Sequence, residues 1–381
     1  MINQVRIKTI INEISFPRLS GTMHEKRALN LIKEKISNLG LESTIQEFEF
    51  STFYGRTYPR LGFFLIYSII LMLFLNIEMI LVPILSLIIF AMLILLYLFT
   101  RNPENIKFPI RKNSANLYTK LINNGTMKER NIFFFCHLDT KGQRLTILAR
   151  VRAIRTYVFS LLILLIVIIF KNYILSSLSL LFYIIGSFPL ITSSIALILL
   201  MLNGTNNHSP GAIDNSSGIG CVYELLNYYN IPDNRLPNFN LWFVFTGAEE
   251  CGTMGIRNFF KIISNFVKKS TYFFNFDAIA KSVYLFPSIK TSIKARNLFI
   301  DLVNNDIGLE IKKNPKKVYF GSHSDGYYLK TKGFQGIGVG DMDSYEYIHS
   351  KYDTPDKIDY TKLKLLCEMI TNTLSEFDKQ L

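Results

Sequence analysis

The sequence predicts an α/β fold: a mixed, mostly parallel sheet sandwiched by helices and interrupted by two α-helical transmembrane hairpins. Three observations carry the prediction. Short, nearly continuous apolar runs at Asn131–Cys136, Asn240–Phe245 and Thr271–Phe276 read as strands buried on both faces. Segments with helical apolar spacing alternate with them, the pattern of a sheet covered by helices. Two much longer apolar blocks, Leu61–Phe99 and Tyr157–Leu202, fit neither role.

The bulk composition agrees. Hydrophobic residues make up 49% of the 381 residues and mean hydropathy is +0.23, with the excess concentrated in the two blocks. Without them the chain has the mixture of charge, glycine and turn residues of an ordinary globular domain. The formal net charge is +13. Much of it flanks the blocks, at Arg101, Lys107, Arg111 and Lys112, and at Arg144, Arg150, Arg152 and Arg155. That placement points to an anionic membrane surface rather than nucleic acid, for which no recognition helix, zinc finger or RNA-binding signature is present. The four cysteines, Cys136, Cys221, Cys251 and Cys367, show no paired spacing and read as free thiols in a reducing compartment. No apolar run precedes residue 61, so no cleavable signal peptide is expected.

Within the first block, Asn76-Ile77-Glu78 separates Leu61–Leu75 from Met79–Phe99. A helix needs about 20 apolar residues to cross the hydrocarbon core. The second run meets that length; the first does so if it begins near Tyr58 with Arg60 snorkelling. In the second block, Lys171-Asn172 separates Tyr157–Phe170 from Tyr173–Leu202, where Gly186 and Pro189 predict a kink or a late start. Parity sets the topology. Residues that must share one site lie between and after the blocks, and the opening of the same domain lies before them, so each block returns the chain to its starting side. Two spans per block is the simplest solution. Lys and Arg collect on the side of the remaining domain, while the hairpin turns carry only Glu78 and Lys171. The positive-inside rule then places that domain in the cytoplasm of a multi-pass integral membrane protein.

The domain opens at Ile10–Leu41. Thr22 and Glu25 suit a capping box, and Leu29, Ile32, Ile36 and Leu39 follow at helical spacing, with Gly40 beyond. Ser43–Phe50 and Asn116–Leu121 read as strands, Gly218–Tyr229 and Met254–Phe266 as helices.

In such sheets functional groups gather at the carboxyl ends of the strands. Here those ends carry metal-binding residue types. Asn131–Cys136 runs into His137-Leu138-Asp139, Asn240–Phe245 into Thr246-Gly247-Ala248-Glu249-Glu250, and Thr271–Phe276 into Asp277. The turn before Gly218–Tyr229 contains Asp214-Asn215-Ser216-Ser217, and His349 lies near the C-terminus. Taken singly each has an ordinary reading: a structural His–Asp pair, a solvated helix start, a cap, a turn. Together they form a set of imidazoles and carboxylates suited to zinc, with a carboxylate available to bridge two ions.

The ordered set His137-x-Asp139, Gly211-Ala-Ile-Asp214-Asn-Ser-Ser-Gly218, Glu249-Glu250, Asp277 and His349 resembles the co-catalytic zinc aminopeptidases, metallopeptidase family M-twenty-eight. Phe16–Thr22 resembles that family's opening region. The resemblance implies a zinc-exopeptidase-like domain and a peptide-hydrolysing enzyme with two zinc ions. His137 and Asp277 would hold one ion, Glu250 and His349 the other, and Asp214 would bridge them. Asp139 would accept a hydrogen bond from the His137 imidazole. Glu249 would be the general base that takes a proton from water and passes it to the leaving amine. Tyr347 and Tyr345 are candidates for oxyanion stabilisation. In Ser322-His323-Ser324-Asp325-Gly326, His323 either replaces a family histidine absent at Gly326 or is structural.

The hairpins are a departure from the family. They divide the expected catalytic domain into residues 1–60, 101–156 and 203–381, around hairpins at 61–100 and 157–202. Asp214 follows the second hairpin closely, so the site is expected near the membrane surface, with a hydrophobic or membrane-adjacent peptide as substrate and the lipid bilayer as partner. The alternatives are a glutaminyl-cyclase-like enzyme on the same fold or a non-catalytic membrane receptor or scaffold. A transporter would need polar groups within the spans.

Overall fold

The computed structural model describes residues 1–76, 81–122, 130–288, 293–306, 308–312 and 324–381. Two compact units emerge: residues 1–50, 111–142 and 206–381 form one, residues 51–110 and 143–205 the other.

The first unit is built on a sheet of seven strands among the described residues: β1 (Thr44–Ser51), β2 (Arg111–Leu121), β3 (Asn131–His137), β4 (Asn240–Thr246), β5 (Thr271–Phe276), β6 (Tyr284–Ser288) and β7 (Gln335–Gly340). Their order is β1-β2-β4-β3-β5-β7-β6. The central four, β4, β3, β5 and β7, run parallel; β2 pairs antiparallel with β4, and β6 antiparallel with β7. The sheet is therefore mixed and mostly parallel, as expected. Every residue of β3 and β5 is buried, which accounts for their unbroken apolar runs.

Helices cover both faces. On one lie α1 (Gln4–Ile14), α7 (Ser217–Asn230) and α11 (Tyr360–Lys379), which pack on each other, with α7 directly on β3, β4 and β5 and α9 (Ile293–Asn304) against α11. Helix α2 (Met23–Ser37) packs against β2 and joins this layer, its Lys35 pairing with Glu13 of α1 and its Lys35 carbonyl accepting from Tyr223 of α7. On the other, α8 (Met254–Ile263) and α10 (Asp325–Thr331) pack together, α8 against β2 and α10 against β3, β5 and β7. Phe133, Phe135, Trp242, Phe259 and Phe273 form a core under α8 and α10. Each fully buried aromatic there contributes on the order of 2 kcal/mol.

The structure differs from the sequence reading in detail. β2 begins at Arg111 rather than Asn116, because Arg111-Lys112-Asn113-Ser114 are polar and carry no apolar alternation. Helix α8 stops at Ile263, short of Phe266. The capping box does not form. Glu25 is buried, and its carboxylate accepts the N–H of Gly21 rather than that of Thr22, while Thr22 Oγ1 donates to the Leu19 carbonyl. Tertiary demand on Glu25 overrides the local motif.

In the second unit, α3 (Tyr58–Leu75), α5 (Ile147–Ile169) and α6 (Ser179–Leu202) pack around Ile70, Phe74, Tyr157, Leu161, Leu164 and Leu197, and α4 (Leu81–Phe99) packs on α3. Among the described residues three helical stretches are long and apolar enough to cross a membrane: Phe53–Leu75, Ile147–Ile174 and Ser176–Leu202. Pro83–Phe99 is a shorter apolar helix. Their outward faces are apolar, with Leu87, Leu95, Phe159, Leu180 and Phe188 exposed. Sparse polar contacts tie the helices internally: Ser160 Oγ to Thr192 Oγ1 at 2.8 Å, and Tyr157 Oη donating to the Phe63 carbonyl. Lys171 is buried. Its amine donates to the Phe74 carbonyl and to Asn76 Oδ1 and lies 4.1 Å from the centre of the Tyr183 ring. It closes the C-terminal end of α3, where unpaired carbonyls favour a cation.

Candidate metal centre

Parallel strands bring their carboxyl ends to one edge of the sheet. His137 ends β3 beside Thr246 of β4, and Asp277 follows β5. Glu249 and Glu250 begin a short helical turn after β4. Asp214 sits in the tight turn leading into α7.

That turn explains the spacing of its motif. Ser216 Oγ donates to the Gly211 carbonyl, and Ser217 Oγ to the Ile213 carbonyl. Asn215 Nδ2 donates to the Phe276 carbonyl, and Asn215 Oδ1 accepts from Gly218 N–H, which pins the Asp214 turn to the end of β5. The Asp214–Asn215 peptide is cis. At Gly218 a Cβ would come within 2.3 Å of Asn215 Oδ1 and 2.7 Å of the Phe276 carbonyl, so only glycine fits. Gly211, at φ +64°, takes a left-handed conformation that glycine adopts without strain. Ala248, Ala278 and His349, which carry side chains, adopt it too, with φ of 49°, 58° and 62°. Left-handed residues immediately before Glu249, immediately after Asp277 and at His349 itself mark backbone held in place for these side chains.

The five expected ligands converge. Asp214 Oδ1 lies 3.0 Å from His137 Nε2, and its Oδ2 lies 3.1 Å from His349 Nε2. Asp277 Oδ1 is 3.6 Å from His137 Nε2, and Glu250 Oε1 is 2.8 Å from His349 Nε2. The result is two triads, His137–Asp214–Asp277 and Asp214–Glu250–His349, that share Asp214, with the ligand atoms of each triad within 4.8 Å of one another. The donor set suits zinc. The hydrogen bonding fits as well: Asp214 Oδ1 and Glu250 Oε1 are buried and close to imidazole nitrogens, yet neither makes a hydrogen bond of acceptable geometry. Ligand atoms that face a shared point, rather than each other, produce that pattern.

The electrostatics agree. Burial works against a charged His137, but Asp139, Asp214 and Asp277 outweigh it and raise its pKa well above the usual value. Burial likewise opposes charge on Asp214, but the two imidazoles hold its carboxyl far below the usual range. Glu250, opposed by burial, is held down at about 2 by His349 and Lys141. The cluster demands positive charge. Protons on the imidazoles supply it, and a divalent cation at the same points would displace them. Glu249 is pushed well above the carboxylate range, first by burial and then by the charges of Glu250, Asp277 and Asp325.

Around this centre lies a layer of buried groups. The sequence reading assigns the Asp139 carboxylate to His137. Here His137 Nδ1 lies 3.0 Å from the Asp139 carbonyl and 3.6 Å from its carboxylate. The carboxylate instead accepts the N–H groups of Glu249 and Glu250, at 3.0 and 3.1 Å, and the hydroxyl of Ser20. Sequence reasoning left several supports unassigned. Arg18, fully buried, donates to the carbonyls of Leu138, Pro210 and Gly211, stitching the loop after His137 to the Asp214 turn. Glu25 accepts the Ala248 N–H. Asp353 accepts the N–H groups of Ile213 and Asp214. Lys141 pairs with Glu250 at 2.6 Å. The signals were weak: a buried Arg or Glu looks like a solvated one in sequence. Tyr347 is half-exposed beside Glu346, with Lys357 over its ring, and Tyr345 is half-exposed in the short helical turn Met342–Glu346. His323 lies outside the described residues.

Residues 194–374 match the sequence profile of Peptidase family M28. The match covers the stretch from the end of α6 to α11 and so includes Asp214, Glu249, Glu250, Asp277 and His349. Among solved structures, this chain is similar to the aminopeptidase from Aneurinibacillus sp. strain AM-1, at 13% identity and a TM-score of 0.58, with 98% of this chain and 94% of that chain covered. It is also similar to a zinc aminopeptidase from Bacillus subtilis, at 12% identity and a TM-score of 0.57, covering 99% and 95%. A glutaminyl cyclase from Fimbriiglobus ruber aligns at 13% identity and a TM-score of 0.54, covering 98% and 95%. At such identities these likenesses establish the fold. No curated protein sequence matches the chain.

Proposed function

We propose that this chain is a membrane-anchored metallopeptidase of the M28 type, an aminopeptidase that holds two zinc ions and removes N-terminal residues from peptides. The observation that carries the reading is the sharing of Asp214: each of its oxygens faces a different histidine, and each histidine has a second carboxylate partner. His137, Asp214 and Asp277 would hold one ion, and Asp214, Glu250 and His349 the other. When bound, the ions supply Lewis acidity, which polarises a peptide carbonyl and makes water acidic near neutral pH.

The chain's own groups do the rest. Glu249, buried beside the triads, takes the proton of the attacking water and delivers it to the departing amine. Glu249 belongs to neither triad, which leaves its carboxylate to accept and release that proton. Asp139 fixes the Glu249 and Glu250 backbone through two N–H groups. Tyr347 and Tyr345 are the candidates for stabilising the developing oxyanion. Four apolar spans in two hairpins anchor the protein with the catalytic domain facing the cytoplasm, and the short chain between Leu202 and Asp214 favours a hydrophobic or membrane-adjacent peptide.

The test is the detergent-purified chain and its Glu249→Gln variant, with free and N-acetylated peptide libraries and products read by mass spectrometry. Stepwise loss of residues from free N-termini only, abolished by Glu249→Gln and by chelation, is the expected result. No cleavage, with ring closure of an N-terminal glutamine instead, would replace the aminopeptidase with a cyclase.

A further inference from the structure

The two triads share Asp214 but differ in their surroundings. Lys141 Nζ lies 2.6 Å from Glu250 Oε2, and its side chain is mostly buried, 14% exposed. One oxygen of Glu250 is therefore engaged by an ammonium group. The other, Oε1, is left facing His349 Nε2 at 2.8 Å. In the other triad, Asp277 Oδ1 faces His137, and among the described residues no lysine or arginine pairs with it.

We infer that Lys141 makes the two metal positions unequal, weakening the one at Glu250 and His349, so that the position at His137 and Asp277 fills first and the other holds the exchangeable ion. This rests on the two-zinc reading above. The physical reason has two parts. An ammonium group on one carboxylate oxygen draws electron density from that ligand and limits it to one-oxygen coordination. It also places a positive charge a few ångströms from a dication, where a low-dielectric setting makes repulsion strong. In exchange, Lys141 gives the chain its own counter-charge for Glu250, so a singly loaded site is not left with an uncompensated buried carboxylate.

The test uses full-length protein in detergent, in two backgrounds: Asp277→Asn, which disables the His137 position, and Glu250→Gln, which disables the His349 position. Zinc affinity is measured by competition with a chromophoric chelator. Lys141→Met should tighten zinc about tenfold or more in the Asp277→Asn background and leave the Glu250→Gln background unchanged. Lys141→Arg should behave like the parent, since the charge is kept. Should Lys141→Met not fold, Lys141→Gln reads the same quantity. Unchanged or weaker zinc binding by the uncharged variant in the Asp277→Asn background overturns the inference. If the parent binds two ions and the variants change nothing, only this inference falls; if the parent binds one ion or none, the two-zinc reading falls with it.

Discussion

Asp353 Oδ1 accepts the backbone N–H of Ile213 at 2.6 Å, tying the loop that follows His349 to the turn that carries Asp214. Oδ2 takes the Asp214 N–H at 3.3 Å. The carboxylate that faces both histidines is thus held from behind by a residue four positions beyond one of them. Asp353→Ala should leave both N–H groups buried without an acceptor, at about 1–3 kcal/mol each. The expected outcome is weaker zinc retention on dialysis and a lower kcat. Asp353→Asn, which keeps one acceptor oxygen, should fall between. Metal content by mass spectrometry checks this; wild-type retention in Asp353→Ala would show that the turn holds itself.

Glu249→Gln should lower kcat by about 10²–10⁴-fold, the range for loss of a general acid–base group. KM and zinc content should stay near wild type, because Glu249 belongs to neither ligand triad. A proportional loss of metal would reassign Glu249 to ion binding.

The metal-free chain should lose stability as pH rises. Burial, and then the charge of Asp139, push Glu25 up to about 8. A carboxyl that keeps its proton to about pH 8 when folded, but loses it near pH 4.3 when unfolded, stabilises the fold fully only below the unfolded value. That contribution drains away as pH rises through the folded value. In chelator, Tm should fall between about pH 5 and pH 8, and Glu25→Gln should flatten the slope while lowering Tm throughout. Thermal melts across that range decide it; a Tm that rises with pH contradicts the assignment.

Lys171→Met should loosen the helical unit. The variant leaves the Phe74 carbonyl unpaired and removes a cation from the face of Tyr183. A loss of about 1–3 kcal/mol is expected, visible as a lower midpoint of heat-induced aggregation in detergent. Lys171→Arg should recover part of it. Unchanged stability in Lys171→Met would mean that the helices pack without this lock.

The strand cores and the candidate ligand residues were legible before folding. The run Asn131–Cys136 reads as a strand buried on both faces, and the folded chain forms it over Asn131–His137 with every residue buried. That His137, Asp214, Glu250, Asp277 and His349 belong together was legible from the resemblance their order carries, and the fold brings the five side chains into two adjoining triads. The apolar blocks were equally plain, as length and composition alone mark a candidate span. Tertiary structure decided the rest. Thr22 and Glu25 spelled a capping box, yet Glu25 turned inward to support Ala248, because a buried loop N–H costs more unpaired than a helix end open to water. Asp139 was assigned to His137, yet its carboxylate went to Glu249 and Glu250 while its carbonyl took the imidazole. Arg18, Lys141 and Asp353 were indistinguishable from surface charges until folding removed their water. Residue type and periodicity report which groups a chain must bury; which partner each buried charge finds depends on loops distant in sequence, and only the folded chain brings those together.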